Sequence, residues 1–265
     1  MHPHTSYFIC TTPRSGSNLL CNLLENTELA GRPDEYFGKE SESWIRKWGP
    51  DLSFADYLSR VIQHGTTENG VFGAKVFLVD GYGDDCLIDL IRQTAGLPKY
   101  NGQQLGAREL LAGIFPNLHF IWLTRRDKVR QAVSLCRALQ TQIWMSFRTR
   151  ENSPPQPAFY DVEKIDSALQ YLLMQEAQWQ EFFTAAAVAP LTVVYEDFVS
   201  EQKETISRVL EFLGIERPSS LQLYKPFLLK QADDESEEWV RRFHEDTRDG
   251  VQRKPELVHP SNEAR

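Results

Sequence analysis

The chain has 265 residues, 41% of them hydrophobic and 25% charged, with a formal net charge of −8. That is long enough for one large α/β domain with its own core, and the acidic balance argues against a general binder of nucleic acid or of acidic membranes. Any basic cluster therefore needs a local explanation. Cys10, Cys21, Cys86 and Cys136 lie far apart with no CxxC pair, which reads as reduced core thiols and not a disulfide framework. No signal-peptide pattern opens the sequence and no apolar run reaches the length of a membrane span, so a cytoplasmic protein is expected.

The first element is a short apolar run from Tyr7 to Cys10. It enters the turn Pro13, Arg14, Ser15, Gly16, Ser17, and Leu19, Leu20, Leu23 and Leu24 follow at helical spacing. This is strand, turn, helix. A helix N-terminus carries unpaired N–H groups and partial positive charge, so it attracts anions. Gly16 admits a close backbone approach, and Arg14 adds a fixed charge with a fork of donors. Ser15, Ser17 and Asn18 add short donors and can cap the helix. The plainer reading is an ordinary serine-capped turn. Arginine in the turn, and polar donors at four of the five positions 14–18, favour an anion site.

Gly31 and Pro33 bend the chain just before Asp34, Glu35 and two aromatics. Residues 41–64 show amphipathic helical spacing, broken in two at Gly49 and Pro50. Asn69-Gly70 marks a turn, and residues 71–79 read as a buried strand carrying one charge, Lys75. Residues 84–95 read as helix, 96–104 as loop, and 108–115 as a short helix stopped by Pro116. The clearest strand is 118–124, ending in Arg125, Arg126 and Asp127, and a helix follows over about 128–144. Residues 148–158 form a charged, proline-rich loop, and a long helix spans about 162–187. Another strand, 191–195, ends in Glu196 and Asp197, and a helix over about 202–213 closes at Gly214. The last organised piece is 230–243.

Strands alternate with helices throughout. That predicts one α/β domain over residues 1–245, three-layered, with a mainly parallel central sheet and helices on both faces, and a loose polar tail over 246–265. Ligands bind such sheets at the carboxyl ends of strands. Residues 13–18, 125–127 and 196–197 occupy that position.

A second anion site is suggested by Arg125 at a strand end with Ser134 nine residues on, in a helix that also carries Arg130 and Arg137. Read alone, this is a solvated basic helix end. Beside the first turn, two separated anion sites suggest a nucleotide with phosphates at both ends.

Here the sequence resembles the sulfotransferases that use 3′-phosphoadenosine-5′-phosphosulfate (PAPS), most closely the bacterial trehalose 2-sulfotransferase family. The resemblance rests on TTPRSGSNLL at 11–20, GRPDEYF at 31–37, NGVFGAKV at 69–76, RQAVSLCRALQTQIW at 130–144 and KQADDESEEWVRRF at 230–243. It implies that the P-loop-like turn, Pro13 to Asn18, cradles the 5′-phosphosulfate and that Arg125 and Ser134 hold the 3′-phosphate. The general sulfotransferase spacing would select Arg126 instead; the bacterial family's spacing selects Arg125, the preferred assignment. Trp239, Arg241 and Arg242 resemble the C-terminal segment that closes over the nucleotide. Glu35 matches the proposed general base, although by position alone it reads as a solvated loop carboxylate. A homodimer is expected from the resemblance only.

Sulfuryl transfer is an in-line displacement whose product here is 3′,5′-ADP, so catalysis is mainly positioning and charge stabilisation. Lys75 either reaches the sulfate or reaches solvent from a strand end. No metal site is expected, because none of the six histidines sits in a ligand-spaced cluster. The acceptor is expected to be a small-molecule hydroxyl or amine, on a sugar such as trehalose or on a secondary metabolite, met by residues 36–60 and 148–160. The competing classes are a P-loop kinase or NTPase, in which LTVVYED carries a Mg²⁺-binding acid, and a non-catalytic nucleotide sensor. The turn lacks G-x-x-x-x-G-K-[ST], which counts against the former.

Overall fold

A computed structural model describes residues 2–37, 41–49, 51–78, 111–144, 157–216, 223 and 233–251. Four apolar runs form its sheet: β1 (Thr5–Thr11), β2 (Val71–Val76), β3 (Leu118–Thr124) and β4 (Leu191–Val194). All pairings are parallel, in the order β2-β1-β3-β4. The chain leaves β1 to lay β2 on one side, then returns to lay β3 on the other. The carboxyl ends of β1 and β3 therefore flank the topological switch point, where such sheets open a crevice. This is the parallel α/β architecture expected from the alternation of elements.

Side chains alternate across the sheet, as the period of two requires. Phe8, Cys10, Phe72, Ala74, Phe120 and Trp122 point to one face. There they meet helix α3 (Phe54–Gly65) through Tyr57 and Val61, and the long helix α5 (Val162–Ala185) through Trp179, Phe182 and Phe183. Helix α2 (Ser41–Trp48) adds Trp44, Ile45 and Trp48 at the margin of the same core. Tyr7, Ile9, Ile121 and Leu123 point to the other face. They pack on α1 (Ser17–Glu25), on Phe198 of α6 (Tyr195–Ser200), and on Ile206, Val209 and Leu210 of α7 (Gln202–Phe212). A third cluster joins α4 (Lys128–Thr141), α5 and α8 (Asp234–Val251).

Several boundaries differ from the sequence reading. Gln142 adopts a left-handed conformation (φ 58°) and ends α4 at Thr141, so Trp144 lies outside the helix. Tyr195 opens the short helix α6 and does not end β4. Helix α8 runs on to Val251, past Glu245, where the polar tail was expected to begin. The expected elements at 84–95 and 96–104, most of 108–115 and of the 148–158 loop, and residues 230–232 and 252–265 lie outside the described residues. Among the described residues, no helix is long and apolar enough to cross a membrane.

One bend fixes where Glu35 stands. Gly31 has φ +70°, and a Cβ there would lie 2.6 Å from the Gly73 nitrogen and 2.9 Å from the Gly65 oxygen. The bend is pinned by Gly31 N–H donating to Thr67 Oγ1 (3.1 Å) and Arg32 N–H donating to the Gly65 carbonyl (2.9 Å). Beyond Pro33, the Lys75 N–H of edge strand β2 donates to the Asp34 carbonyl at 3.0 Å. We expect Gly31→Ala to combine left-handed strain with a clash against backbone and to cost about 2–4 kcal/mol. A lower urea midpoint at unchanged m-value checks this; an unmoved midpoint would show that the bend does not depend on glycine.

Candidate active site

The turn at the end of β1 is held from three sides. From below, Trp179 Nε1 donates to the Thr11 carbonyl (2.9 Å), and the Thr11 and Ser15 hydroxyls share a hydrogen bond of 2.5 Å. From α4, fully buried Gln131 donates through Nε2 to Thr12 Oγ1 (3.0 Å) and to the Pro13 carbonyl (2.7 Å). From the start of α6, the Tyr195 ring lies against Gly16, and a Cβ on Gly16 would fall 2.3 Å from it. Gly16 (φ +91°) precedes α1 as its N-cap, and no side chain caps the helix. The serines and Asn18 were expected to offer caps. Instead Ser15 is tied to Thr11, and Asn18 to Lys75. The α1 N-terminus thus keeps the uncapped donors and partial charge that suit an anion.

Arg14 stands in the left-handed region (φ 62°), which turns its side chain across to α4. Its Nε donates to Ser134 Oγ (2.9 Å) and its Nη1 to the Trp144 carbonyl (2.6 Å). The left-handed Gln142 is what frees that carbonyl from the helix. Arg125 is 8% exposed; its Nη1 donates to the Arg14 carbonyl (3.3 Å), and its guanidinium sits 4.8 Å from the Tyr195 ring centroid. Among the described residues Arg125 Nε is buried without a hydrogen-bond partner, and Glu196 Oε1 lies at the ion-pair distance of 3.9 Å. Burial, and then the neighbouring Arg125, push the pKa of Arg14 down to about 10. Burial also lowers that of Arg125. Pro13, Arg14, Ser15, Gly16, Ser17, Arg125 and Ser134 are thus brought together.

Arg126 is not part of this group. Its guanidinium faces outward and is held by both Asp197 oxygens (3.0 and 2.8 Å). The geometry therefore favours Arg125 as the inward cation.

On the β2 side, Lys75 is 4% exposed, and the solvent-reaching alternative is excluded. Its ammonium pairs with Glu35 and donates to Asn18 Oδ1 (2.5 Å). Burial disfavours the charged lysine, but Glu35 and smaller contributions outweigh it, so its pKa sits above the ordinary lysine value. Glu35, a loop residue between α1 and α2, is thereby linked through Lys75 to the N-terminus of α1.

Trp239, Arg241 and Arg242 have other partners. One stripe of α8 buries Trp239, Val240 and Phe243 in the core shared with α4 and α5, leaving Trp239 3% exposed. Arg241 pairs along its own helix with Glu238 and Glu245, and Arg242 stacks on Tyr160 at 3.9 Å. Helix α8 instead reaches α4 through its acids. Glu237 meets Arg130, and Asp233 and Glu235 meet Arg137. The sequence reading missed Gln131, Tyr195 and Trp179, whose roles depend on long-range packing.

The family model described as Stf0 sulphotransferase matches residues 6–246. The chain is 33% identical to a trehalose 2-sulfotransferase of Mycolicibacterium smegmatis, over 94% of this chain and 98% of that protein. It is 28% identical to a trehalose 2-sulfotransferase of Mycobacterium tuberculosis, over 89% and 93%. A solved sulfotransferase domain from the Synechococcus PCC 7002 olefin synthase aligns over 82% of this chain and 75% of its own, at 17% identity and a TM-score of 0.40.

The Lys75–Glu35 pair makes a pH-dependent prediction. Glu35→Ala leaves a buried ammonium without its carboxylate and should cost about 2–4 kcal/mol at neutral pH. In the wild type the raised lysine pKa gives stability that is complete below the unfolded lysine value and lost only as pH rises through the folded one. In the variant, burial, the largest influence on Lys75, is opposed by the smaller effects of Cys21 and Asp34 without those of Glu35, and its folded pKa falls. The unfolded chain then binds the extra proton, so stability rises with pH. Urea unfolding at neutral pH and near the lysine range should show the deficit shrinking as pH rises; a constant deficit would contradict this role of the pair.

Proposed function

We propose that this chain, which belongs to the Stf0 sulphotransferase family, takes the sulfuryl group of PAPS to a hydroxyl of a small-molecule acceptor, a sugar such as trehalose. The observation that carries this reading is the convergence of Arg14, Arg125 and Ser134 beside an uncapped helix N-terminus at the switch point of the sheet. Family membership supports the sulfotransferase activity, and the two trehalose 2-sulfotransferases support the acceptor class.

The residues fit a nucleotide with phosphates at both ends. The turn from Pro13 to Asn18 and the α1 N-terminus suit the 5′-phosphosulfate. Arg125, whose buried Nε has no hydrogen-bond partner among the described residues, suits the 3′-phosphate together with Ser134. In the transfer, the acceptor oxygen forms a bond to sulfur in line with the bridging oxygen, whose bond to sulfur breaks, and 3′,5′-ADP departs. Arg14 and the α1 N-terminus stabilise the charge that gathers on the bridging oxygen. Glu35 takes the acceptor proton. Lys75 orients the Glu35 carboxylate and holds a buried positive charge between the base and α1.

The kinase reading has less support. Both Glu196 oxygens accept backbone N–H bonds, from Arg126 (2.9 Å) and Asp127 (3.1 Å), and Asp197 is engaged by Arg126. The acids after β4 are therefore committed to protein groups.

The reading is tested by titration with 3′,5′-ADP, 5′-AMP and ATP–Mg²⁺, followed by turnover of PAPS with trehalose. The first ligand should bind best, and preference for ATP–Mg²⁺ would overturn the reading. Arg125→Ala should weaken 3′,5′-ADP by about 2–4 kcal/mol through loss of a buried charge-assisted bond, whereas Arg126→Ala should leave it nearly unchanged. Glu35→Gln should lower kcat by at least about 10²-fold while 3′,5′-ADP affinity stays near wild type. A loss below tenfold would remove Glu35 as the base.

A further inference from the structure

We propose that Glu196 is the positioning residue that aims Arg125 at the 3′-phosphate, an inference that rests on the nucleotide reading above. The Glu196 carboxylate stands at the carboxyl end of β4 and reaches across to the end of β3. One oxygen accepts the Arg126 N–H at 2.9 Å, and the other accepts the Asp127 N–H at 3.1 Å. The second oxygen also lies 3.9 Å from Arg125 Nε. One carboxylate therefore grips three consecutive residues where β3 gives way to α4.

Two consequences follow from the chemistry. The two strand-end amides form a ready-made anion site, and Glu196 fills it. A ligand phosphate is thus directed to side-chain donors, of which the inward one is Arg125. Glu196 also sets the direction of the Arg125 fork. The far side of that fork is fixed by Nη1 on the Arg14 carbonyl (3.3 Å) and by the Tyr195 ring (4.8 Å), which itself packs against Gly16. The carboxylate is built to stay charged. Burial opposes the charge, but the two backbone donors and Arg125 outweigh it and hold its pKa below the ordinary range. Asp197, the next residue, holds only the outward Arg126 and serves as an internal control.

Glu196→Gln keeps the shape but places an amide against one backbone N–H and removes the charge beside Arg125. The quantity to measure is the ratio of dissociation constants for 5′-AMP and 3′,5′-ADP, which isolates the 3′-phosphate. We expect the ratio to fall about tenfold in Glu196→Gln, as suits one misdirected charge-assisted contact. 5′-AMP affinity should change little, and Asp197→Asn should match the wild type. In an Arg125→Ala background the Glu196 substitution should have no further effect on the ratio, because its action runs through that arginine. Proportional weakening of both ligands, or a fall that persists without Arg125, would make Glu196 a merely structural residue and overturn the inference. Should Glu196→Gln fail to fold, Glu196→Asp, one methylene too short for the full grip, takes its place with the same outcomes. Absence of any 3′,5′-ADP preference in the wild type would instead overturn the nucleotide reading itself.

Discussion

The site depends on holding two arginines together inside the protein. Arg14 and Arg125 lie end to end, the Nη1 of one on the carbonyl of the other, and their mutual repulsion adds to the effect of burial. Such an arrangement does not persist by itself, because like charges removed from water disfavour the folded state. Here the surroundings over-determine it. Gln131 fastens the turn to α4, Trp179 fastens the strand end to α5, and Tyr195 closes on Gly16 where no other residue fits. Each tether comes from a different element, so the geometry is a property of the whole sheet. The nucleotide proposed above would relieve the repulsion, which would make the protein's unfavourable term the ligand's favourable one.

The second half of the site is organised by the opposite arrangement, a buried cation with its acid. Lys75 lies on the α1 face of β2, opposite Ile9 in the β1 register, and therefore meets α1 at Asn18. Glu35 arrives from the Gly31 bend, which runs along the edge of β2 away from β1. Glu35, the proposed base, and the turn after β1 thus share α1 as a common rigid reference, and their separation is set by sheet register. Groups that must act together across a reacting bond need that kind of support.

Much of this was legible in the sequence because it is local. The strand-turn-helix order was readable from a polar turn between an apolar run and a leucine-spaced helix, and β3 was delimited to the residue by LHFIWLT. The Gly31-Arg32-Pro33 bend was visible too, but by position alone Glu35 read as a solvated loop carboxylate, and only the resemblance singled it out. What stayed hidden are contacts between elements far apart in the chain. Nothing in the residues around Gln131 or Trp179 says which carbonyl they meet, and Tyr195 reads equally as the last residue of a strand. Trp239, Arg241 and Arg242 illustrate the same limit. A motif resemblance singled them out for the nucleotide, while their packing, with Trp239 and Phe243 four residues apart on one buried stripe of α8, became visible only in the fold.

The acidic net charge and the anion site are parts of one design. Among the described residues, Arg14, Arg125, Arg126, Arg130 and Arg137 lie at or just beyond the carboxyl ends of β1 and β3. Left unpaired, the outer three would make a diffuse basic surface that binds any polyanion through screened, long-range attraction. Instead Arg126 is matched by Asp197, Arg130 by Asp127 and Glu237, and Arg137 by Asp233 and Glu235. These exposed or half-exposed pairs contribute little stability. Their effect is on selectivity, since they cancel charge at the rim and leave the strong field inside, where Arg14 and Arg125 are buried and their hydrogen bonds are directional. Under the proposed function, an acidic protein would in this way recognise a highly charged nucleotide without becoming a general binder of nucleic acid.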